Sequence, residues 1–474
     1  MIFHTLQRAL LFRFDLIFVN VYFPLYKNRF HNLKQSILTN TCSFTSIKKR
    51  AKIRVVLRGL ISQFENILIG RYVRMMNIIY KRSFSVIVAL SFLTIFSGNA
   101  HSDTIKIGAS APKTGPLAGG SAVTFWPAVE MWVKKVNAAG GIKLKSGKAK
   151  IELIQYDDRT NPGEAIKNIQ RLATQDKVDF ILAPFGTGLT LATAPIFVKF
   201  NYPQITHTAI TDKVGALTKR YPNIFFTLGS TTAFAGSVAK ILGKMKAAGK
   251  IGNRVAMVNV ADAFGIELAN AARPIFKNAG FKIVYDKSYP LGSPDLSPVI
   301  RGAKAANPDA FVAWSYPPDT FGLTAQAKVQ GLNVKAYYTA VATCFPVFAK
   351  KFGKSAEGIL GAGGVNPDDP VMKKYRAEHK KITGKAADYW ANGMVYASAQ
   401  ILQAAIEGVG TKDRKAVTEY IKKNTFNTVM GPIKFKNQNN EVFWTVGQWQ
   451  GGKFYGVSST GHSGERSIKA KSGW

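Results

Sequence analysis

The residues of this chain best placed to do chemistry are few and small. Gly186-Thr187-Gly188 sets a hydroxyl between two glycines, after an apolar run at 178–183 and before a helical pattern. A helix starting there would aim free backbone N–H groups at an anion, with the Thr187 hydroxyl beside them. Glycines that merely make a tight turn would give the same spelling. His207-Thr208-Ala209-Ile210-Thr211 follows the next short β run and adds further hydroxyls. Later in the chain the corresponding loops carry Phe264, Tyr316 and Phe345, with Asp262 two positions before the first. Small, hydroxyl-rich loops opposite aromatic ones suit a carboxylate seat facing an apolar wall.

Other groupings promise less. The stretch from Gly141 to Ala149 has five residues between glycines where a phosphate loop has four, and Ala149 where Ser or Thr should bind magnesium. It reads as a hairpin-like connection. Asp157-Asp158, followed by Arg159 and Asn161-Pro162, reads as a capped turn rather than an acid–base pair or a metal site. Cys42 and Cys344 are too few for a disulfide framework or a cysteine-rich zinc site. Nothing in the sequence brings His207, His379 or His462 to Cys344 as a base, so a buried thiol lining the pocket is the expectation there. Trp390 reads as helix packing. No catalytic set, metal or cofactor is expected.

Such loops need a scaffold that gathers them at one edge. From residue 103 onward, β runs at 105–109, 151–156, 178–183 and 204–206 alternate with helical spacing at 123–139, 162–175 and 189–200. After Thr227 the rhythm restarts: helical stretches at 233–248, 265–279, 296–306 and 320–330, β runs at 254–260, 282–285, 310–314 and 335–339. Strands joined by helical crossovers imply parallel sheets, and two such runs imply two α/β lobes. Ligands in open α/β sheets bind beyond the carboxyl ends of strands, which is where the loops above fall.

A family resemblance rests on an ordered set of segments: IKIGASAPKTGPL at 105–117, VNAAGGI at 136–142, YDD at 156–158 with Asn161-Pro162 after it, AANPD at 305–309, SAEG at 355–358 and TVMGPI at 428–433. The chain resembles the branched-chain amino-acid-binding proteins of the bacterial periplasm, the substrate-binding components of ABC importers. That resemblance implies two Rossmann-like lobes with parallel sheets, joined by three hinge crossovers, the type I periplasmic binding fold. It places the crossovers near 227–230, 360–365 and 430–433. Lobe one is then 103–228 with 362–430, and lobe two 229–361 with 431–474. It implies that Thr187, with Gly186, holds a ligand carboxylate, and that Thr208, Ala209 and Thr211 complete the pocket. Phe264 and Tyr316 close over the ligand, with Phe345 beside them. The partners implied are a small-molecule ligand and a membrane permease, with a monomer as the working state and no enzymatic activity.

Two departures from the family pattern matter. Gly119-Gly120 stands where an aromatic residue often follows the opening Gly-Pro, and Trp126 is the nearest replacement. The loop at 340–345 reads AVATCF, without the acid that usually receives a ligand ammonium; Asp262 is the nearest substitute, and Asp319 is the sole acid between 315 and 356. An unpaired buried ammonium is costly. The expected ligand is therefore a small carboxylate, amide or amino-acid-like molecule for which an ammonium is not the main anchor. A sensor domain or enzyme on the same fold is the alternative.

Residues 75–102 carry Lys81-Arg82, an uncharged apolar stretch at 83–96, and Ala100-His101-Ser102 ahead of Asp103. Those are the parts of a cleavable secretory signal, and they imply a periplasmic location. The apolar core is short for a bilayer span, which takes about 20 residues. Residues 1–74, with 13 basic and 2 acidic side chains, read as an upstream extension outside the fold. The formal charge of the whole chain is +37, and residues 103–474 keep +24 of it, spread rather than gathered. That pattern describes a basic surface more than a nucleic-acid module.

Overall fold

The computed structural model describes residues 104–440, 446–458 and 463–474, with Asn32 and isolated positions between 55 and 78. The chain forms two compact units, Met1–Ala100 and His101–Trp474. The described residues of the first are helical and exposed. Apart from those positions, the upstream extension at 1–74 and the signal peptide at 75–102 lie outside the described residues, as does Asp103. No described helix is long and apolar enough to cross a membrane.

The second unit follows the alternating pattern. Its first part runs β1 (Thr104–Ser110), α1 (Ala118–Ala138), β2 (Ile142–Leu144), β3 (Gly147–Tyr156), α2 (Pro162–Thr174), β4 (Phe180–Leu182), α3 (Thr187–Lys199), β5 (Gln204–Thr206), α4 (Val214–Arg220) and β6 (Ile224–Phe226). The four-stranded sheet has the order β2-β3-β1-β4, and β5 pairs β6 in parallel. The expected connection at 141–149 is the antiparallel β2–β3 hairpin. Asn161 accepts a hydrogen bond from the Glu164 N–H (3.1 Å) and Pro162 opens α2, as a capped start requires.

The second part runs α5 (Thr231–Ala247), β7 (Arg254–Val260), α6 (Ala263–Asn278), β8 (Lys282–Tyr289), α7 (Ser297–Ala305), β9 (Ala310–Trp314), α8 (Pro317–Gln330), β10 (Ala336–Thr339), α9 (Pro346–Phe352) and β11 (Leu360–Ala362). It then leaves for α10 (Pro370–Thr383), α11 (Ala391–Val409), α12 (Arg414–Lys423) and the hairpin β12 (Thr425–Thr428) and β13 (Gly431–Lys434), and ends on β14 (Val446–Gln450) and β15 (Lys453–Ser458). The seven-stranded sheet has the order β15-β14-β11-β10-β9-β7-β8, parallel except where β14 and β15 join it antiparallel. Two lobes result, each a sheet covered by helices.

The helices that follow β11 return to the first lobe: α11 packs along α1, where Trp132 Nε1 donates to Gln403 (3.1 Å). The third crossover comes later than 430–433. Those residues sit in the β12–β13 hairpin, and the chain beyond it still bonds to β6, with Phe226 N–H donating to Gln438 O and Asn440 N–H to Phe226 O (2.9 Å each). Those bonds satisfy the backbone N–H and carbonyl of Phe226 from the segment that follows the hairpin. The chain next meets the larger sheet at Val446.

Candidate functional site

The loops at the carboxyl ends of β4, β5, β7, β9 and β10 converge. Phe185, Gly186, Thr208 and Ile210 from the first lobe face Phe264, Tyr316 and Val341 from the second. Leu228 and Phe234 after β6, and Trp390 before α11, close the remaining side. The cavity between them measures about 30 Å³, room for little more than a water. A larger ligand enters only if the lobes part.

The first-lobe wall is built from backbone and hydroxyls. Gly186 caps α3 at φ 90°, a left-handed conformation that a glycine adopts without strain. Its N–H donates to Thr208 Oγ1 (2.8 Å). His207 Nε2 faces the Ala183 carbonyl at 2.8 Å, and a carbonyl only accepts, so Nε2 carries the proton. Nδ1 then accepts from the Thr208 hydroxyl (3.2 Å). Burial holds the His207 ring neutral, its pKa pushed down to about 4. Thr187 Oγ1 accepts from Ile210 N–H (3.3 Å), which leaves its own hydroxyl hydrogen to give. The Gly186 N–H is spent inside the wall, so the donors left for an anion are those of the α3 N-terminus, the first of which, the Thr187 N–H, is shared with the Tyr316 hydroxyl.

The second-lobe wall is aromatic. Phe264 and Tyr316 stack at 4.7 Å between ring centres and 24° between planes. The Tyr316 hydroxyl lies between the Asp262 carboxyl of its own lobe and the Thr187 N–H opposite. Asp262 also caps α6, accepting from Gly265 N–H (3.0 Å), and burial raises its pKa. Behind Tyr316, the buried Asp319 accepts the Tyr316 N–H (3.2 Å); burial and then the neighbouring Asp262 push its pKa up to about 7. Two carboxyls thus flank one aromatic residue without lining the cavity.

Four of the residues singled out by sequence line the cavity: Gly186, Thr208, Phe264 and Tyr316. Thr187 adjoins it through its backbone. The others do not reach it. Ala209 is buried behind the wall. Thr211 points across the cleft, donating to Glu267 Oε2 (2.6 Å), whose other oxygen meets Lys213 at 3.1 Å. Trp126 gives its indole N–H to the Pro112 carbonyl (3.3 Å) and lies under Lys113. Phe345 is buried at the start of α9, because the loop after β10 turns Val341 inward instead. Cys344 is fully buried, its thiol pushed well up by burial, and does not line the cavity as expected. Trp390 does line it, against the packing role read from sequence. Asp388 accepts the N–H groups of Trp390 (2.7 Å) and Asn392 (3.1 Å), a turn that directs the ring to the cleft. Phe185, Leu228 and Val341, in loops after strands, and Phe234, near the start of α5, were likewise missed, since apolar residues in these places are spelled like core. Among the described residues no group of acids, histidines or cysteines could hold a metal ion.

Comparison with known proteins shows the family and the fold. The periplasmic binding protein family matches residues 104–453. The Leu/Ile/Val-binding protein of Escherichia coli (strain K12) is 26% identical over 371 residues, 77% of this chain and 94% of that protein. The crystal structure of a leucine binding protein from Thermotoga maritima superimposes with a TM-score of 0.65 at 21% identity, covering 75% of this chain and 99% of that one. An ABC transporter solute binding protein from R. palustris, solved in complex with benzoate, gives a TM-score of 0.64 at 19% identity over 77% of this chain and 99% of that one.

Proposed function

Because the chain belongs to the periplasmic binding protein family, we propose that it is the extracytoplasmic solute-binding component of an ABC importer, and that its ligand is a small carboxylate with an apolar body. The observation that carries the ligand class is the lining itself: a helix N-terminus with hydroxyls on one side, Phe185, Phe234, Phe264, Tyr316 and Trp390 around the rest, and no acid. The carboxylate meets the Thr187 N–H and hydroxyl, where the helix dipole favours negative charge. The apolar body lies against stacked rings, in the kind of mostly apolar pocket with few polar anchors that suits small ligands. Asp262 is occupied in capping α6 and in holding Tyr316, so it is a poor counterion for an ammonium.

The protein binds and releases its ligand without chemical conversion, acts as a monomer, and hands the ligand to a membrane permease. Export by the segment at 75–102 places it in the periplasm. Calorimetry with leucine, its deaminated analogue and benzoate tests the ligand class. The two molecules without an ammonium are expected to bind. Leucine binding more tightly than its analogue by about 3 kcal/mol, the scale of a paired buried charge, overturns the reading.

A further inference from the structure

Helix α8 carries Tyr316 at its start and a different environment at its end. Its 14 residues separate the two by about 20 Å. Around its last turn lies a hollow of about 510 Å³, within the usual range of small-molecule pockets. The lining includes Lys328, Asn333, Lys335, Lys471, Ser472 and Trp474, and contains no acidic side chain. None of the three lysines makes an ion pair with a described residue, whereas ten other ion pairs occur among the described residues.

Lys471 is the unusual member, because only 2% of it is exposed. Its ammonium donates to the Gly473 carbonyl and lies 4.0 Å from the centre of the Trp474 ring. A buried ammonium without a counter-charge is costly. Burial, and next the nearby Lys328, bring its pKa down to about 8. The helix dipole explains why a lysine such as Lys328 stands in the last turn of α8. It does not explain why the segment after β15 turns a second lysine inward to meet it.

We propose that this hollow is a second binding site, separate from the cleft, for a small oxyanion of the phosphate class. Lys471 supplies a fixed buried charge, and the exposed Lys328 and Lys335 close over the anion. The Asn333 amide and the Ser472 hydroxyl supply neutral hydrogen bonds. The same chemistry fits free phosphate and the phosphate of an anionic lipid headgroup.

Calorimetry with inorganic phosphate, in chloride buffer and on the full chain, tests the site. Wild-type protein should show saturable binding at one site. Lys471→Met should weaken it at least tenfold, and so should Lys328→Gln, an exposed change that leaves the fold alone. Lys373→Gln on α10, a lysine elsewhere on the surface, should change nothing. Flotation with phosphatidylcholine vesicles, with and without phosphatidic acid, separates the sources. Lysine-dependent capture by phosphatidic acid with weak free phosphate binding identifies a headgroup, and the reverse identifies a soluble anion. The absence of both, or binding that survives Lys471→Met and Lys328→Gln unchanged, overturns the proposal.

Discussion

The two walls of the cleft are made on opposite terms. On the first lobe, Gly186 donates to Thr208, Thr208 to His207, and His207 to the Ala183 carbonyl, so the polar groups are held in place by one another. On the second, Phe264 and Tyr316 stack, and the polar groups near them are the carboxyls of Asp262 and Asp319, disfavoured as anions by burial. With the carboxylate proposed above, one wall would recognise through preset donors and the other would select by shape. The contrast implies that affinity for a carboxylate is set on the first lobe and the choice of its apolar body on the second.

Removing the ring that closes the corner between the walls should have the largest effect. Trp390→Ala deletes a nearly buried indole, and a loss of about 3–5 kcal/mol is expected in urea unfolding. A cost below 1 kcal/mol would mean that the corner collapses easily and the walls are not separate.

The walls can next be set against each other. Thr187→Ala removes a donor to the carboxylate and should weaken binding by about 1.5–3 kcal/mol, roughly tenfold to more than a hundredfold. Tyr316→Phe removes a hydroxyl that lies at the same Thr187 N–H, so affinity for the same carboxylate should hold or tighten. Calorimetry on the pair decides. Equal losses would erase the distinction between donor and shape walls.

The pH dependence of stability should also divide by wall. Asp319 has its pKa raised to about 7, so between its ordinary value and 7 the folded state binds more protons than the unfolded chain. Its contribution therefore falls as pH rises through that window. His207, lowered to about 4 from 6.5, behaves oppositely: the folded state binds fewer protons there, and its contribution falls as pH drops from 6.5 to 4. Asp319→Asn should remove the loss of stability between its ordinary value and pH 7, by up to about 1.4 kcal/mol per unit of pKa shift removed, and so unmask the opposite trend that His207 gives between pH 4 and 6.5. Thermal melts from pH 4 to 8 read both limbs.

The smallest effect concerns the bond across the cleft. Glu267→Gln weakens the Thr211 hydrogen bond and the Lys213 ion pair, and should cost about 0.5–1.5 kcal/mol in the same melts. An unchanged melting temperature would assign closure to the aromatic contacts alone.

The alternating sheets were legible in the sequence because β7, β9 and α8 have the length and composition that periodicity needs. The helix α4 was not picked out, because seven residues leave too little period to read; β6 was passed over although β5, equally short, was read. Gly186, Thr208, Phe264 and Tyr316 could be found because they follow strands directly. Trp390 could not, since its direction depends on Asp388 and on a turn between two helices. Phe345 and Ala209 were lost to register within their loops, where one position separates wall from core. Trp126 stands on α1, where its indole N–H is taken by the Pro112 carbonyl.

The placement of β14 and β15 has a consequence in time. Leu360 pairs with Gln448, and Val446 with Ser458, so the larger sheet gains its last two strands only when nearly the whole chain is present. The first lobe waits as well, because α1 is covered by α11, with Asn392 reaching Thr124 across 268 positions of sequence. Contacts this distant are slow to form, since the loop must close before any pairing offsets the lost entropy. Neither lobe can finish folding as an early fragment. A chain emerging residue by residue therefore stays incompletely folded until Val446–Ser458 has arrived.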